Sequence, residues 1–134
     1  MFEVRPYQAE SDETKLFLLM EEEGEEWQEI WAEPGRSRYK IALADCDVFV
    51  VYQGGVLCGY VRAKDDYGFG VYVCDLLVGK PHRGQHMGRA LMDAVCALYP
   101  TEMVYVMSDV DEYYAKAGIT EREGSVLVVQ RKPD

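Results

Sequence analysis

The residues best placed to do chemistry lie in one short stretch, LLVGKPHRGQHMGRAL, which runs from Leu76 to Leu91. An apolar strand ends there at Val78, a loop with Arg83 and Gly84 follows, and a helix is predicted to open at about Gln85. Such a junction aims unpaired backbone N–H groups and the positive end of a helix dipole at one point. The chemistry it offers is the binding of a phosphate or pyrophosphate.

The same loop gathers cations in a protein that is otherwise acidic. Lys80, Arg83 and Arg89 bring positive charge, and glycines at 84 and 88 let the backbone approach an anion closely. From the residues alone the loop is either an anion site or a plain strand–loop–helix junction with surface cations. The chain has no GxxxxGK[ST] motif, and no GxGxxG opens this helix, which argues against a P-loop nucleotide triphosphatase and a dinucleotide-binding Rossmann unit.

Composition limits the partners. The chain has 134 residues, with 49% hydrophobic and 28% charged residues, so we expect one soluble globular domain over residues 1–134. Its net charge of −10 argues against nucleic acid and anionic membranes as partners, because both are bound mainly through Lys and Arg.

Compartment is indicated by the cysteines and by the apolar stretches. The uncharged stretch Val48–Val61 is too short and too glycine-broken to span a bilayer, and the N-terminus does not resemble a secretory signal. The cysteines form no CxxC pair, so we expect reduced core residues of a cytoplasmic protein. They are Cys46, Cys58, Cys74 and Cys96.

Hydrophobic periodicity predicts the elements that must position the loop. Ser11 or Asp12 is expected to cap a first helix, and in the strand before the loop Val71, Val73, Asp75 and Leu77 are expected to share one face. The predicted strands cover residues 2–7, 48–52, 56–63, 69–78, 103–107 and 126–130, and later helices cover 36–44, 85–98 and 109–117. This order indicates a mixed α+β domain around one sheet.

Two stretches carry a resemblance to a known family. LLVGKPHRGQHMGRAL resembles motif A of the GNAT superfamily of N-acetyltransferases, an apolar strand followed by V-x-P-x-x-R-G-x-G-x-G/A and an amphipathic helix. DVDEYYAKAGI, from Asp109 to Ile119, resembles the later family helix F-Y-x-K-x-G-F. The resemblance covers nearly the whole chain. It implies a GNAT-like α+β fold, whose central sheet is mixed, mostly antiparallel and flanked by helices on both faces.

The sequence departs from the family pattern at three places. His86 stands where motif A has its central glycine, the spacing from Val78 to Pro81 is one residue longer than the common form, and the usual Asn before the later helix is missing. His82 and His86 stand four residues apart, but no third ligand is evident, so we expect no metal.

The resemblance implies an acetyl group moved from acetyl-CoA to a primary amine by direct attack in a ternary complex. The backbone of residues 83–89 would hold the pyrophosphate, and the backbone of residues 76–78 would pair with the pantetheine arm, with N–H groups near Leu77 polarising the thioester carbonyl. The cofactor-binding residues implied are Leu76, Leu77, Val78, Arg83, Gly84, Gln85, His86, Met87, Gly88 and Arg89.

Two side chains are candidates for proton transfer. Tyr114 falls on the family tyrosine that protonates the departing thiolate, a role suited to a phenol with a pKa near 10. The other reading is that Tyr113 and Tyr114 pack in a short helix. Asp75 is the candidate base that takes a proton from the amine; the other reading is a satisfied polar group at a strand edge.

In the family, the acceptor usually meets the first helices. Here that region carries the acidic run EEEGEE, Glu21–Glu26, together with Trp27, Trp31 and Tyr39. An acidic aromatic wall favours a cationic amine, small or lysine-like, by charge and cation–π attraction. The simpler reading is a solvated helix face.

Two further functions stay open at this stage. One is a GNAT-like module that binds CoA or a protein without catalysis. The feature that supports it is His86 in place of the motif glycine. The other is a hydrolase that uses Cys74 or Cys58 with His82, which would need an exposed thiolate. A homodimer is open as well.

Overall fold

The computed structural model of the chain describes residues 1–106 and 128–131. The predicted helix over 109–117, and Tyr114 within it, lie outside the described residues. The elements in chain order are β1 Glu3–Pro6, α1 Ala9–Glu23, α2 Gln28–Trp31, α3 Gly35–Asp45, β2 Asp47–Gln53, β3 Val56–Asp65, β4 Val71–Val78, α4 Met87–Leu98 and β5 Val104–Val106, with short 3-10 turns at Glu25–Trp27 and Lys80–His82.

The strands form one sheet in the order β1-β2-β3-β4-β5. The first four strands pair antiparallel, and β5 pairs parallel to β4. The β2–β3 hairpin turns at Gly54 and Gly55, where φ is +58° and +80°, values that glycine adopts without steric cost. The sheet is therefore mixed and mostly antiparallel, as predicted.

The sheet has helices on both faces, so the α+β prediction is confirmed. On one face α1 and α3 bring Leu16, Phe17 and Tyr39 against Val50 and Tyr60 of the central strands. On the other face α4 covers the sheet with an apolar stripe that recurs at helical spacing. That second core includes Val51, Val61, Val73, Met87, Leu91 and Val95.

A β-bulge changes which side chains of β4 share a face. Arg62 of β3 pairs with Asp75, but the next residue, Ala63, pairs with Val73, which leaves Cys74 as the extra residue. Val73 therefore packs on the α4 side, and Leu77 packs on the side of α1 and α3. The predicted common face for Val71, Val73, Asp75 and Leu77 is wrong, because a bulge shifts the alternation by one residue.

Backbone geometry moves three predicted element ends. Helix α1 begins at Ala9, before both predicted caps; the buried Asp12 carboxylate instead accepts the N–H of Gln8 at 2.8 Å. Strand β4 begins at Val71, after Gly70 with φ of +126°. Helix α4 begins at Met87, because His86 has φ of +66° and so cannot continue a right-handed helix.

Two other predictions need correction. All four cysteines are free, but Cys96 is exposed on α4 rather than part of the core. Val128 to Gln130, the described part of the predicted last strand, adopt no strand and leave Val128 and Val129 exposed. Among residues 1–106 and 128–131, no helix combines the length and apolarity needed to cross a membrane.

Candidate functional site

The loop after β4 is fixed at its start by backbone hydrogen bonds. The N–H of Gly79 donates to the carbonyl of Cys58 at 2.8 Å, so the loop leaves the sheet beside β3. A 3-10 turn follows at Lys80–His82, in which the N–H of His82 donates to Gly79 at 2.9 Å. These bonds leave the loop pointing toward the start of α4.

The next stretch presents a run of backbone donors. The N–H groups of residues 84–89 donate to no acceptor among the described residues. Gly84, with φ of +84°, has no atom within 4 Å of where a Cβ would stand, and His86 holds φ of +66°. Left-handed residues next to helix starts form concave nests that bind anions. His86 thus keeps the left-handed backbone that a glycine would adopt there, and histidine is one of the residues enriched in that region.

The predicted cofactor-binding side chains are mostly engaged with the protein itself. Arg83 donates from Nε to the Val78 carbonyl at 2.9 Å and from Nη2 to Glu23 at 2.6 Å. Arg89 pairs with Asp93 one turn along α4 at 3.2 Å. The Gln85 amide bonds to Gln53 and to the carbonyl of His82, while Met87 and Gly88 are buried. Among residues 84–89, the groups that remain available to an anion are therefore mainly backbone N–H groups.

The end of β4 is paired on one side. Residues 76–78 pair with β3, whereas β5 pairs with β4 only at Val71–Val73. Among the described residues, the other edge of residues 76–78 has no strand beside it. An open strand edge can pair with an extended ligand through backbone hydrogen bonds, although the Val78 carbonyl already accepts from Arg83.

Asp75 lies at the centre of a half-buried cluster on the opposite face from α4. Its Oδ2 accepts from Arg62 Nε at 2.6 Å and from the Tyr39 hydroxyl at 2.6 Å. The hydroxyls of Tyr39 and Tyr60 are 2.6 Å apart, and the Arg62 guanidinium lies 5.1 Å from the Tyr39 ring centre. Oδ1 makes no hydrogen bond with the described residues.

The charges of this cluster are set by burial and pairing. Burial, followed by the charge of Asp75, raises the pKa of Tyr39, and burial also raises the pKa of Tyr60 well above its usual range. Burial alone would lower the pKa of Arg62, but the hydrogen bond to Asp75 and the negative charge of that carboxylate together outweigh burial and raise the pKa. The cluster is therefore an ion pair flanked by neutral hydroxyls.

Of the three predicted acceptor aromatics, two reach this cluster. Tyr39 is buried and bonded to Asp75, and Trp27 lies edge-on to Tyr60 with ring centres 6.3 Å apart. Trp31 instead donates from its indole N–H to the Gly24 carbonyl at 3.1 Å. Both tryptophans are half-buried; Trp27 directly precedes α2, and Trp31 is its last residue.

Sequence reasoning missed three residues of the site. Arg62 and Tyr60 lie opposite Asp75 and Leu77 in the β3–β4 register, which the hairpin pattern alone leaves undetermined because of the bulge. Glu23 did carry a signal. It continues the i, i+3, i+4, i+7 spacing of Leu16, Leu19 and Met20, the buried face of α1.

The hydrolase alternative loses support from the cysteines. Burial raises the pKa of Cys58 and of Cys74, which disfavours the thiolate that such chemistry needs. Their Sγ atoms lie against the carbonyls of Val56 and Tyr72. Within the described part of the chain, no group of three His, Cys, Asp or Glu residues is arranged to hold a metal ion.

Comparisons with known proteins agree with this architecture. A GNAT-family acetyltransferase from Streptococcus pneumoniae TIGR4 superposes with a TM-score of 0.70 at 17% identity, covering 98% of this chain and 100% of that one. Ribosomal-protein-alanine N-acetyltransferase from Brucella melitensis biovar Abortus 2308 gives a TM-score of 0.74 at 15% identity, covering 99% and 100%. An aminoglycoside N-acetyltransferase in complex with CoA gives 0.72 at 13% identity, covering 98% and 95%.

At these identities the solved structures show the fold alone, and no protein of curated function matches the sequence. The family is shown by the sequence itself, since the model of the acetyltransferase (GNAT) family matches residues 16–118, well over half of the chain. The chain, with its backbone nest at the start of α4, belongs to the GNAT family of acetyltransferases, the family of acetyl-CoA-dependent acetyl transfer.

Proposed function

We propose that the protein transfers an acetyl group from acetyl-CoA to a primary amine by direct attack in a ternary complex. The observation that carries this proposal is the run of backbone N–H donors over residues 84–89, at the start of α4, that find no acceptor in the described part of the chain. Together with the family match, it makes a pyrophosphate-bearing cosubstrate the ligand whose chemistry suits the loop.

The residues of the chain suit CoA along its length. The N–H groups of residues 84–89 would bind the pyrophosphate. Gly84 has no side chain that would block the approach, and His86 has the left-handed backbone conformation of a nest. The open edge of residues 76–78 would pair with the pantetheine arm. Backbone N–H groups near Leu77 would then polarise the thioester carbonyl as negative charge develops on its oxygen.

Proton transfer would involve two residues. As the amine nitrogen bonds to the carbonyl carbon and the C–S bond breaks, Tyr114 would donate its proton to the leaving thiolate. Asp75 would take the amine proton. Its Oδ2 already accepts hydrogen bonds from Arg62 and Tyr39, so Oδ1 would be the accepting atom, reached through a relay of water.

A cationic amine is the acceptor that the surrounding charges favour. Exposed Glu25 and Glu26 directly precede the half-buried Trp27 in the sequence, and carboxylates near aromatic rings attract ammonium groups. The net charge of −10 points the same way. Four free cysteines suit the reducing cytoplasm as the compartment.

One observation favours a second candidate, a CoA-binding or interaction module without catalysis. The exposed His86 side chain stands at the motif position that a glycine normally fills. A side chain there narrows the approach to the N–H groups, and weak cosubstrate binding would leave the fold without turnover.

Titration with acetyl-CoA, followed by calorimetry and by thermal shift, tests the proposal. Micromolar binding with a saturable rise in melting temperature is expected, followed by thiol release when a panel of amines, including polyamines and lysine-like amines, is added. Tyr114→Phe should keep binding and lose most of the turnover. Absence of binding at millimolar acetyl-CoA would favour the second candidate.

A further inference from the structure

One glutamate of the acidic run behaves differently from its neighbours. Glu21, Glu22, Glu25 and Glu26 are exposed, but the side chain of Glu23 is only 6% exposed. It is the last residue of α1, which ends at Gly24 with φ of +95° and with the Gly24 N–H bonded back to Met20 and Glu21. The helix end is thus fixed, and it directs this carboxylate away from the acidic surface.

Both oxygens of Glu23 contact the loop that follows β4. Oε1 accepts from Arg83 Nη2 at 2.6 Å, and Oε2 accepts from the backbone N–H of Lys80 at 3.2 Å. Arg83 in turn donates from Nε to the Val78 carbonyl at 2.9 Å. One carboxylate therefore links the end of β4, both ends of the 80–83 segment and the end of α1.

The two elements also touch through apolar atoms. A Cβ on Gly79 would come 2.9 Å from Leu19 Cδ1 of α1, so the loop and the helix are packed closely where Glu23 acts. The segment that Glu23 holds leads directly into the donors of residues 84–89, which have no acceptor within residues 1–106 and 128–131.

We propose that Glu23 is a positioning residue for the cosubstrate loop: by holding Arg83 and the Lys80 N–H, it keeps the backbone donors of residues 84–89 in their anion-binding arrangement. This inference rests on the proposed function for its ligand. It goes beyond that function by assigning a residue of the acceptor-side helix to the cosubstrate site.

Removing the Glu23 carboxylate has two opposite effects on the affinity for an anion, one through the charge of Arg83 and one through the order of the loop. The inference is therefore testable. Glu23 neutralises Arg83, so charge alone predicts that its removal strengthens binding of an anion. Loss of loop order predicts weaker binding, because the backbone donors of a mobile loop must be fixed when the ligand binds. Arg83 is half exposed and bonded away from the donor run, so we expect order to outweigh charge.

The experiment compares Glu23→Gln, Arg83→Gln, the double variant and the matched control Glu21→Gln, which removes the same charge from an exposed site two residues away. Acetyl-CoA binding is measured by calorimetry, and loop order is measured by amide hydrogen exchange over residues 79–83, where the N–H groups are hydrogen-bonded. Glu23→Gln should weaken binding about tenfold, equal to about 1.4 kcal/mol, and the double variant should be no weaker than the weaker single variant.

Hydrogen exchange separates positioning from general destabilisation. With Glu23→Gln, exchange should accelerate at the hydrogen-bonded amides of residues 79–83 and stay unchanged in the middle of α4, while Glu21→Gln should alter neither exchange nor binding. Unchanged or tighter binding by Glu23→Gln would overturn the inference, as would faster exchange throughout the chain. If the wild-type protein does not bind acetyl-CoA, the proposed function fails, and loop exchange alone then decides the role of Glu23: faster local exchange supports it and unchanged exchange refutes it.

Discussion

Two arginine–carboxylate pairs of the same length stand on either side of the end of β4. Arg62 and Asp75 are 2.6 Å apart, and so are Arg83 and Glu23. The first pair joins neighbouring strands, and each side chain is 18% exposed. The second joins a loop to a helix 60 residues away in sequence, with the arginine 53% exposed. The two ion pairs therefore have the same length but differ in how exposed their arginines are.

The surroundings decide what each pair does. Between two strands that are already paired by their backbones, Arg62 and Asp75 have little freedom to lose, and their interaction contributes to the free energy of unfolding. The loop between β4 and α4 is held by backbone hydrogen bonds only at Gly79 and in the short turn that follows it, so the proposed role of the Arg83–Glu23 contact is to hold the rest of the segment. The first pair stabilises the fold, and the second orders a binding surface.

Removing the buried arginine should have the largest effect. Arg62→Gln leaves the Asp75 carboxylate half-buried without its counter-charge, which should lower the free energy of unfolding by about 2–3 kcal/mol, somewhat less than for a fully buried pair. Urea denaturation measures it. Lys64→Gln is the matched control, because it removes an exposed charge from the same strand. A loss below about 0.5 kcal/mol would mean that the pair is screened by solvent like a surface pair.

A third ion pair, Arg5–Asp12, tests whether burial of the carboxylate or burial of the arginine contributes more to the free energy of unfolding. Asp12 is fully buried and bonded to Tyr52, Gln8, Ser11 and the half-exposed Arg5. Its exposure resembles that of Glu23, but one of its partners, Tyr52, is buried in the core. Asp12→Asn should therefore lower the free energy of unfolding by about 2 kcal/mol at pH 7.

The pH dependence of that loss follows from the direction of the shift. Burial alone would raise the pKa of Asp12, but the hydrogen bonds, that from Tyr52 first, outweigh it and lower the pKa. The contribution of the carboxylate is then full above the unfolded pKa of about 3.9 and is lost as the pH falls through the lower folded value. Urea denaturation of wild type and Asp12→Asn between pH 7 and pH 2.5 should show the difference shrinking below about pH 4. A constant difference would contradict the shift.

The sequence predicts the loop after β4 better than it predicts the cluster around Asp75. The loop was predictable because Pro81, Arg83 and Gly84 lie within four consecutive residues, and residues so close in sequence express local backbone preferences. The partners of Asp75 were not, since Arg62 and Tyr39 meet it only through strand register and α3 packing, and the bulge at Cys74 changes that register without any distinctive residue type. Long-range contacts depend on the whole chain.

Arg83→Gln should give a smaller change in stability than either substitution above. The loop lies outside the sheet, and Arg83 is half exposed, so we expect the free energy of unfolding to fall by about 1 kcal/mol or less. The same variant is expected to weaken acetyl-CoA binding about as much as Glu23→Gln does. If it instead destabilised the protein as strongly as Arg62→Gln, the division between a stabilising pair and an ordering pair would be wrong.

The smallest effect on stability is expected at His86. A non-glycine residue at φ of +66° costs about 1–2 kcal/mol relative to glycine, while glycine loses about 0.5–1 kcal/mol more backbone entropy on folding. These contributions nearly cancel, so His86→Gly should change the free energy of unfolding by less than about 1 kcal/mol.

Acetyl-CoA binding by His86→Gly should stay equal or become tighter, because the left-handed turn is kept and bulk is removed beside the donors. His86→Ala is the matched control, since it removes the imidazole but keeps the strain. Calorimetry on both variants separates the contribution of the imidazole to binding from that of the left-handed backbone conformation. Weaker binding by alanine alone would show that the backbone conformation controls the site. Equal losses in both variants would mean that the imidazole itself contacts the ligand, and the donor run of residues 84–89 would then need a side chain to complete it.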